Sequence, residues 1–366
     1  MKNKPLAKDF FLSPKSRLRL INPFSKFTYL ANFKKIEDKP RRILCATAAG
    51  LGDTIMIAPA VAALKNALPD ASITLLCHHN RKINELCEII PSIDNSIDIG
   101  LKNYTWPQIT KFLLSNFFKL LLKLRKERFD LVIVFMPNPV RRLLTIFLNC
   151  KYWIYSNRIN DYPGSLAFTI LDKIGIEGKN NLPVFKIPTP KKPADILAPD
   201  LTRPLICVNP FCGMQWRQWD KFDSLLDELT KFNASIAVIG KSANYHPPSG
   251  VINLVNKLTI PQLFWLINNC DLFITADSGP MHIAFALNIP SVALFSAVKP
   301  SLRTSPQYSA THSILYNPDH QSEKTQRVTQ RKQLDTSNIQ RVTVSEVIDA
   351  AKNCLTKNKL HLKNNI

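Results

Sequence analysis

Two runs of strand–turn–helix alternation, separated by a break rich in proline and lysine, limit what this chain can fold into more than any other feature. The first run starts at Ile43. The apolar stretch Ile43–Ala48 ends in Ala49-Gly50-Leu51-Gly52-Asp53; a helix-like segment follows from Thr54 to Leu68, is stopped by Pro69-Asp70, and gives way to a second apolar stretch, Ser72–Cys77. Strand, glycine-bearing turn, helix, strand is a βαβ unit. The pattern then predicts a strand over Asp130–Met136, a helix over Val140–Leu148 and a strand over Lys151–Tyr155. After Pro183–Pro204 the alternation restarts. Strands are expected at Leu205–Asn209, Ser235–Ile239, Leu272–Thr275 and Ser291–Phe295, with helices at Lys221–Phe232, Ile260–Asn269 and Pro280–Leu287.

Such alternation points to an α/β chain of two Rossmann-like, doubly wound domains. A length of 366 residues suits two domains. The expected division is a basic N-terminal extension over 1–42, a first domain over 43–182, a linker over 183–204, a second domain over 205–340, and a C-terminal helix and tail over 341–366. The helix in that last stretch, Ser345–Leu355, is expected near the domain junction. Doubly wound sheets bind ligands at the carboxyl ends of their strands, so a cleft between facing domains is the expected active site.

Charge narrows the partners. The chain has 48 Lys+Arg against 27 Asp+Glu, a net +21, which favours anionic partners: nucleic acid, lipid headgroups or phosphorylated substrates. Residues 1–42 alone hold twelve Lys/Arg and three acids, with Phe10, Phe11, Phe24, Phe27, Tyr29 and Phe33 among the cations. Lys15, Arg17 and Arg19 interrupt what would otherwise have to be the apolar core of a signal peptide. No run of eighteen apolar residues exists, so no membrane-spanning helix is expected. The 8 cysteines form no C-x-x-C pair and read as reduced core thiols of a cytosolic protein.

Three elements carry candidate chemistry. In the first turn, Gly50 and Gly52 let the backbone turn tightly and leave room for a ligand. Asp53 then stands at a helix start, where it is either an N-cap or a carboxylate placed to take a proton. A dinucleotide-binding reading is weaker, since the third glycine would fall at Ile55 and an anionic Asp53 would repel a pyrophosphate, and a phosphate loop is excluded by the absence of Gly-Lys-Ser/Thr. In the second turn, Thr275-Ala276-Asp277-Ser278-Gly279-Pro280-Met281-His282, Asp277 or Ser278 can cap a helix whose N–H groups and partial positive charge suit a sugar diphosphate. An ordinary capped helix with a satisfied His282 is the alternative. These two turns are read as occupying equivalent places in the two α/β units. The third element, Asn209–Trp219, is an aromatic-rich loop with one cation, Arg217, suited either to gripping phosphate oxygens or to simple solvation; Trp219 is expected to be a core anchor.

Gly50-Leu51-Gly52-Asp53 with Ile57-Ala58-Pro59-Ala60, then Arg217-Gln218-Trp219, then Asp277-Ser278-Gly279-Pro280-Met281-His282 with Ala284, Ala286 and the strand Ser291–Phe295, in this order, resemble one family. They look like the ADP-heptose:lipopolysaccharide heptosyltransferases, glycosyltransferase family 9, over roughly residues 43–300. The resemblance implies a GT-B fold, with an acceptor-binding first domain and a donor-binding second one. It implies an inverting, metal-independent transfer from a nucleotide sugar, by family default ADP-heptose, onto a lipopolysaccharide core or related glycan, with no cofactor. By that resemblance Asp53 is the general base, Arg217 meets the donor diphosphate, and Asp277 contacts the donor sugar. Ser278, Gly279, Met281 and His282 form the helix start facing the donor phosphates. The chain departs from the family pattern at Phe211-Cys212-Gly213, where small hydroxyl residues are usual, at Arg217 in place of lysine, and at Asp220 in place of proline.

A cytoplasmic location follows, with peripheral contact to the cytoplasmic face of the inner membrane through the cationic, Phe-bearing residues 10–35. The basic apolar segment Lys111–Lys126 is a second membrane candidate, its apolar residues equally explained as domain core. The competing readings are a nucleic-acid-binding protein, for which no motif is found, a non-catalytic glycan binder on the same fold, and a GT-B epimerase or phosphorylase.

Overall fold

The computed structural model describes residues 29–31, 40–47, 50–78, 82–101, 106–135, 139–148, 150, 152–155, 162–176, 185–190, 196–197, 201–296, 298–304, 312–316 and 337–364. The chain divides into two compact units, Met1–Lys186 and Ile187–Ile366, the division falling inside the proline- and lysine-rich stretch.

The first unit is a six-stranded sheet. Its strands are β1 (Tyr29–Ala31), β2 (Arg42–Ala46), β3 (Ser72–Cys77), β4 (Asn95–Asp98), β5 (Leu131–Val134) and β6 (Tyr152–Tyr155), in the order β1-β6-β5-β2-β3-β4. All pairings are parallel except β1 with β6. β1 therefore gives part of the basic extension an edge-strand role that no alternation in the sequence announces. The rest of the stretch 10–35 lies outside the described residues. The helices are α1 (Leu51–Ala67), α2 (Trp106–Ser115), α3 (Phe117–Lys126), α4 (Pro139–Phe147) and α5 (Pro163–Lys173).

β2 and β5 are buried along nearly their whole length, which is why they read as continuous apolar runs. Leu44, Ala46, Val132 and Val134 pack against α2, α3 and α4. Alternate residues such as Ile43, Cys45 and Ile133, also buried, face the opposite side. There α1 is buried nearly all round, with Ala58, Ala60, Ala62 and Ala63 allowing close approach, and α5 packs on it. Gly164 makes that approach possible: a Cβ there would lie 2.8 Å from Met56 O.

The second unit repeats the plan. Its strands are β7 (Leu205–Asn209), β8 (Ser235–Val238), β9 (Val251–Asn253), β10 (Leu272–Ala276), β11 (Ser291–Phe295) and β12 (His312–Tyr316), all parallel, in the order β12-β11-β10-β7-β8-β9. The helices are α6 (Phe222–Leu229), α7 (Ile260–Asn269), α8 (Gly279–Ala286), α9 (Ser337–Gln340) and α10 (Val344–Asn364). α10 runs beyond the expected Ser345–Leu355. It packs on α6 and on β10, β11 and β12 of its own unit, burying Val347, Ala350, Ala351 and Cys354.

The two sheets share a register device. Asp130, just before β5, accepts from the backbone N–H groups of Arg41 and Arg42 at 2.9 Å each, pinning the start of β2. Asp271, just before β10, accepts from Leu205 N at 2.6 Å and Arg203 Nη1 at 2.8 Å, pinning the start of β7. In both sheets the chain order reverses between the pinned strands, β2|β5 and β7|β10. That reversal is the topological switch point, where strand carboxyl ends diverge and leave a crevice.

Candidate active site

The turn after β2 stands at the first sheet's switch point. Gly50, not Asp53, is the N-cap residue of α1, with φ −116° and ψ 158° and no side-chain cap. Asp53 is the third residue of the helix and half-buried, so the N-cap reading of Asp53 is corrected. Gly50 earns its place through space: a Cβ there would lie 3.0 Å from Asp53 Oδ2. The carboxylate therefore folds back over the turn that a larger residue would fill. Beneath it Thr54 Oγ1 donates to Gly50 O at 3.1 Å and lies 3.3 Å from Thr47 Oγ1, both threonines being buried. Gly52 is buried in the first helical turn. An acid at the positive end of a helix is electrostatically favoured there.

In the second unit the two strands at the switch point end in Asn209 and Ala276, and Asn209 is the register partner of Thr275. Asp277 follows directly. Its side chain is 3% exposed, and Oδ2 lies 3.2 Å from Arg217 Nη1 and 3.9 Å from Arg303 Nε. Arg217 Nη1 also donates to Asp277 O at 3.3 Å. Neither carboxylate oxygen of Asp277 accepts a hydrogen bond from the described residues. One anion between two guanidinium groups leaves a net positive cluster, and a buried carboxylate with unfilled lone pairs is a site for an incoming donor.

The loop Asn209–Trp219 holds Arg217 in that position. Trp219 is a core anchor, fully buried, with Nε1 donating to Val342 O at 3.0 Å and its ring edge-on to Phe222 at 5.1 Å. Gln218 donates to Pro210 O at 2.7 Å and accepts at its own O from Gln340 Nε2 at 2.8 Å. Arg217 stacks over Trp216, with Cζ 4.5 Å from the ring centroid. It is not the solvated charge that a lone loop arginine usually is. Gly240, at φ +120° beyond β8, keeps the neighbouring ground open, since a Cβ there would lie 2.6 Å from both Asn209 Oδ1 and Phe211 Cδ2.

Ser278 occupies the N-cap position of α8, yet its side chain makes no cap bond. Its Oγ instead accepts from Asn209 Nδ2 at 2.9 Å and lies 3.0 Å from Thr275 Oγ1. The start of α8 is thus left without a side-chain cap, its N–H groups unanswered by Ser278. Met281 is buried and packs with Phe285, Ala293 and Phe295, so its side chain serves the core. His282 is buried and its pKa is lowered to about 4, first by desolvation and further by Arg303 and Arg217, against an upward pull from Asp277. It is a neutral imidazole at pH 7.

The two turns do not occupy equivalent strands, contrary to the sequence reading. The Asp53 turn follows β2, the first parallel strand of its sheet, whereas the Asp277 turn follows β10; the counterpart of β2 in the second sheet is β7. Each turn flanks its own switch point from a different side. Arg303 and Asn209 were not singled out from sequence. Asn209 could have been, as a polar residue closing the apolar strand Leu205–Val208. Arg303 sits after the 3₁₀ turn Pro300–Leu302, and only folding shows that it reaches Asp277. Among the described residues no cluster of three or more His, Cys, Asp or Glu side chains could hold a metal ion.

Comparison with known proteins gives one consistent likeness. Residues 163–334 match the model of glycosyltransferase family 9 (heptosyltransferase). Lipopolysaccharide heptosyltransferase 3 of Escherichia coli is 24% identical over 284 residues, 67% of this chain and 81% of that protein. Lipooligosaccharide heptosyltransferase 2 of Campylobacter jejuni is 27% identical over 289 residues, 73% of this chain and 84% of that protein. Among solved structures, a glycosyl transferase family 9 protein from Veillonella parvula aligns with TM-score 0.72 at 20% identity, over 87% of this chain and 98% of its own. Escherichia coli ADP-heptose lps heptosyltransferase II aligns with TM-score 0.64 at 17% identity, over 87% and 99%. The fold is that of the GT-B glycosyltransferases.

Proposed function

From the premise that this chain is a glycosyltransferase carrying a family 9 (heptosyltransferase) domain, we propose that it moves a heptose from ADP-heptose onto the core of a lipopolysaccharide or lipooligosaccharide. The observation that carries the reading is the buried Asp277 carboxylate, held between Arg217 and Arg303 beside a helix start that no side chain caps.

The chemistry follows from what each group can do. The donor's diphosphate is anionic, and its leaving-group charge grows as the glycosidic bond breaks. Arg217, Arg303 and the N–H groups at the start of α8 present preorganised positive charge to it, the role a divalent metal plays elsewhere. Asp277 accepts hydrogen bonds from donor-sugar hydroxyls through its unfilled lone pairs and offsets part of the arginine charge, so that product release is not blocked. His282, neutral, adds no further cation to the cluster. The side chains of Ser278 and Met281 shape the α8 start from within, while Gly279 lets the donor approach the backbone. Asp53 removes the proton from the acceptor hydroxyl as it attacks the anomeric carbon from the face opposite the diphosphate, so the configuration inverts. Gly50 and Gly52 leave space for the acceptor over the turn. The reaction consumes no cofactor. The expected setting is the cytoplasmic side of the inner membrane, with the basic N-terminal segment assisting contact to an anionic glycolipid.

The test is direct. Purified protein is incubated with ADP-heptose and a heptose-deficient lipopolysaccharide core, and ADP release and product mass are followed. Heptose addition with inverted anomeric configuration is expected, together with a melting temperature raised by ADP and not by UDP or GDP. A chain that binds RNA in a salt-sensitive manner and neither binds nor turns over any nucleotide sugar would overturn the assignment.

A further inference from the structure

α2 and α3 run on almost as one helix. Asn116 N–H donates to Phe112 O and Leu120 N–H to Asn116 O, each at 2.9 Å, so the helical ladder crosses the junction. This rod has two apolar faces, and the core accounts for one of them. Phe112, Phe117, Leu120, Leu121 and Leu124 are buried in the first unit's core. Leu114, Phe118 and Leu122, spaced four residues apart, line a second face and are 82%, 68% and 59% exposed. Phe147, at the end of α4 and 49% exposed, borders that face, its ring 6.1 Å from that of Phe117. Arg125 holds it there, donating from Nε and Nη2 to Phe147 O at 3.1 and 2.7 Å. Among the described residues the only other large apolar side chain so exposed is Phe232. Scattered exposed apolar residues are ordinary on a protein surface, but a contiguous group is a contact surface.

The charges beside the stripe identify what it contacts. From Lys111 to Lys126 there is no acid, and the cations are Lys111, Lys119, Lys123, Arg125 and Lys126. All are exposed. The ammonium groups of Lys111, Lys119 and Lys123 have no ion-pair partner among the described residues. A protein groove covering the leucines would have to bring its own acids to each of these lysines, whereas an anionic headgroup layer meets all of them at once. We propose that the Leu114–Phe118–Leu122 face, with its flanking lysines, docks on the surface of an anionic lipid bilayer. The apolar side chains enter the boundary between headgroups and acyl chains, and the ammonium groups lie among the phosphates. This surface is built from residues of α2 and α3 and not from the N-terminal segment, and the inference does not rest on the transfer reaction assigned above.

The experiment is co-sedimentation of the full chain with vesicles of phosphatidylcholine alone or of phosphatidylcholine mixed with an equal part of phosphatidylglycerol. Binding to the mixed vesicles and little to the zwitterionic ones is expected. Combined Leu114→Ser, Phe118→Ser and Leu122→Ser should lower the partition coefficient by roughly tenfold or more, and combined Lys111→Gln, Lys119→Gln and Lys123→Gln by a similar factor, the latter also flattening the salt dependence. The lysine set alters only exposed charges, so it tests the surface even if the apolar set folds poorly; a thermal melt reports on each. Wild-type affinity in the folded lysine variant overturns the proposal and moves any membrane contact elsewhere. So does a result in which the apolar set converts a dimer to a monomer with vesicle binding unchanged, because the face would then belong to a second copy of the chain.

Discussion

Two carboxylates flank the switch points of two similar sheets, and their surroundings differ in almost every respect. Asp53 is half-buried on the first turn of α1, folded back against Gly50. Asp277 is buried outside the helix, before the start of α8, and clasped by Arg217 and Arg303. An acid that positions a substrate can be locked by ion pairs. The contrast teaches that one topology can leave one acid half-buried on the first turn of a helix and bury another among cations, by changing which strand the turn follows and which cations fold over it.

The comparison can be broken most decisively at Asp53. Asp53→Asn should lower kcat by roughly 10²–10⁴ with the melting temperature almost unchanged; near-normal turnover would remove the general-base role. Asp277→Ala should behave in the opposite sense. It leaves two partly buried guanidinium groups without their anion, and a loss of stability of about 3–5 kcal/mol is expected in urea titrations, with weakened donor binding. Equal stability in the two variants would show that Arg217 and Arg303 do not depend on that carboxylate.

The second unit also carries a pH signature. His282 and His312 are both lowered to about 4, chiefly by burial. Between the ordinary value of 6.5 and about 4 the unfolded chain binds protons that the folded chain refuses, so stability falls as pH falls through that window. The full effect is on the order of 3 kcal/mol for each histidine kept neutral. Urea unfolding at pH about 7.5 and about 4.5 should show part of it, and His282→Gln should reduce the difference. The smallest expected effect is at Ser278. Because its hydroxyl bonds Asn209 and lies near Thr275 and does not cap α8, Ser278→Ala should cost about 1 kcal/mol of stability. ADP affinity should change less than stability does, and a larger loss of affinity would place the hydroxyl on the donor.

Much of this arrangement is legible in the residues. Apolar runs such as Leu205–Val208 and Ser291–Phe295 announce parallel strands buried on both faces, and Gly50 and Pro280 mark turn and helix start. The four edge strands β1, β4, β9 and β12 are not legible, because an edge strand lacks the continuous apolar run of a strand buried on both faces and three to five residues give too little alternation to separate it from loop. Asp53 and Asp277 both stand out beside glycine-bearing turns, yet the N-cap alternative for Asp53 and the equivalence of the two turns do not hold in the fold. Capping depends on a one-residue shift in where the helix begins, and equivalence depends on strand order. Trp219 was recognisable as an anchor from its size and apolar setting; Arg303 was not, since a turn arginine looks the same whether it faces water or a carboxylate.

The sequence by itself determined the local steps: which segments extend, which coil, where glycine and proline force a turn, and where an acid or a cation sits beside such a turn. Those steps rest on steric and solvation preferences spanning a few residues. Only the tertiary structure decided that Arg217, Asn209 and Arg303 converge on Asp277 and Ser278, and that Leu114, Phe118 and Leu122 stay outside the core while Phe117 and Leu121 enter it. Such convergence joins residues as far apart as Asn209 and Ser278, 69 positions along the chain, and follows from the order in which strands pair and the faces that helices turn to them.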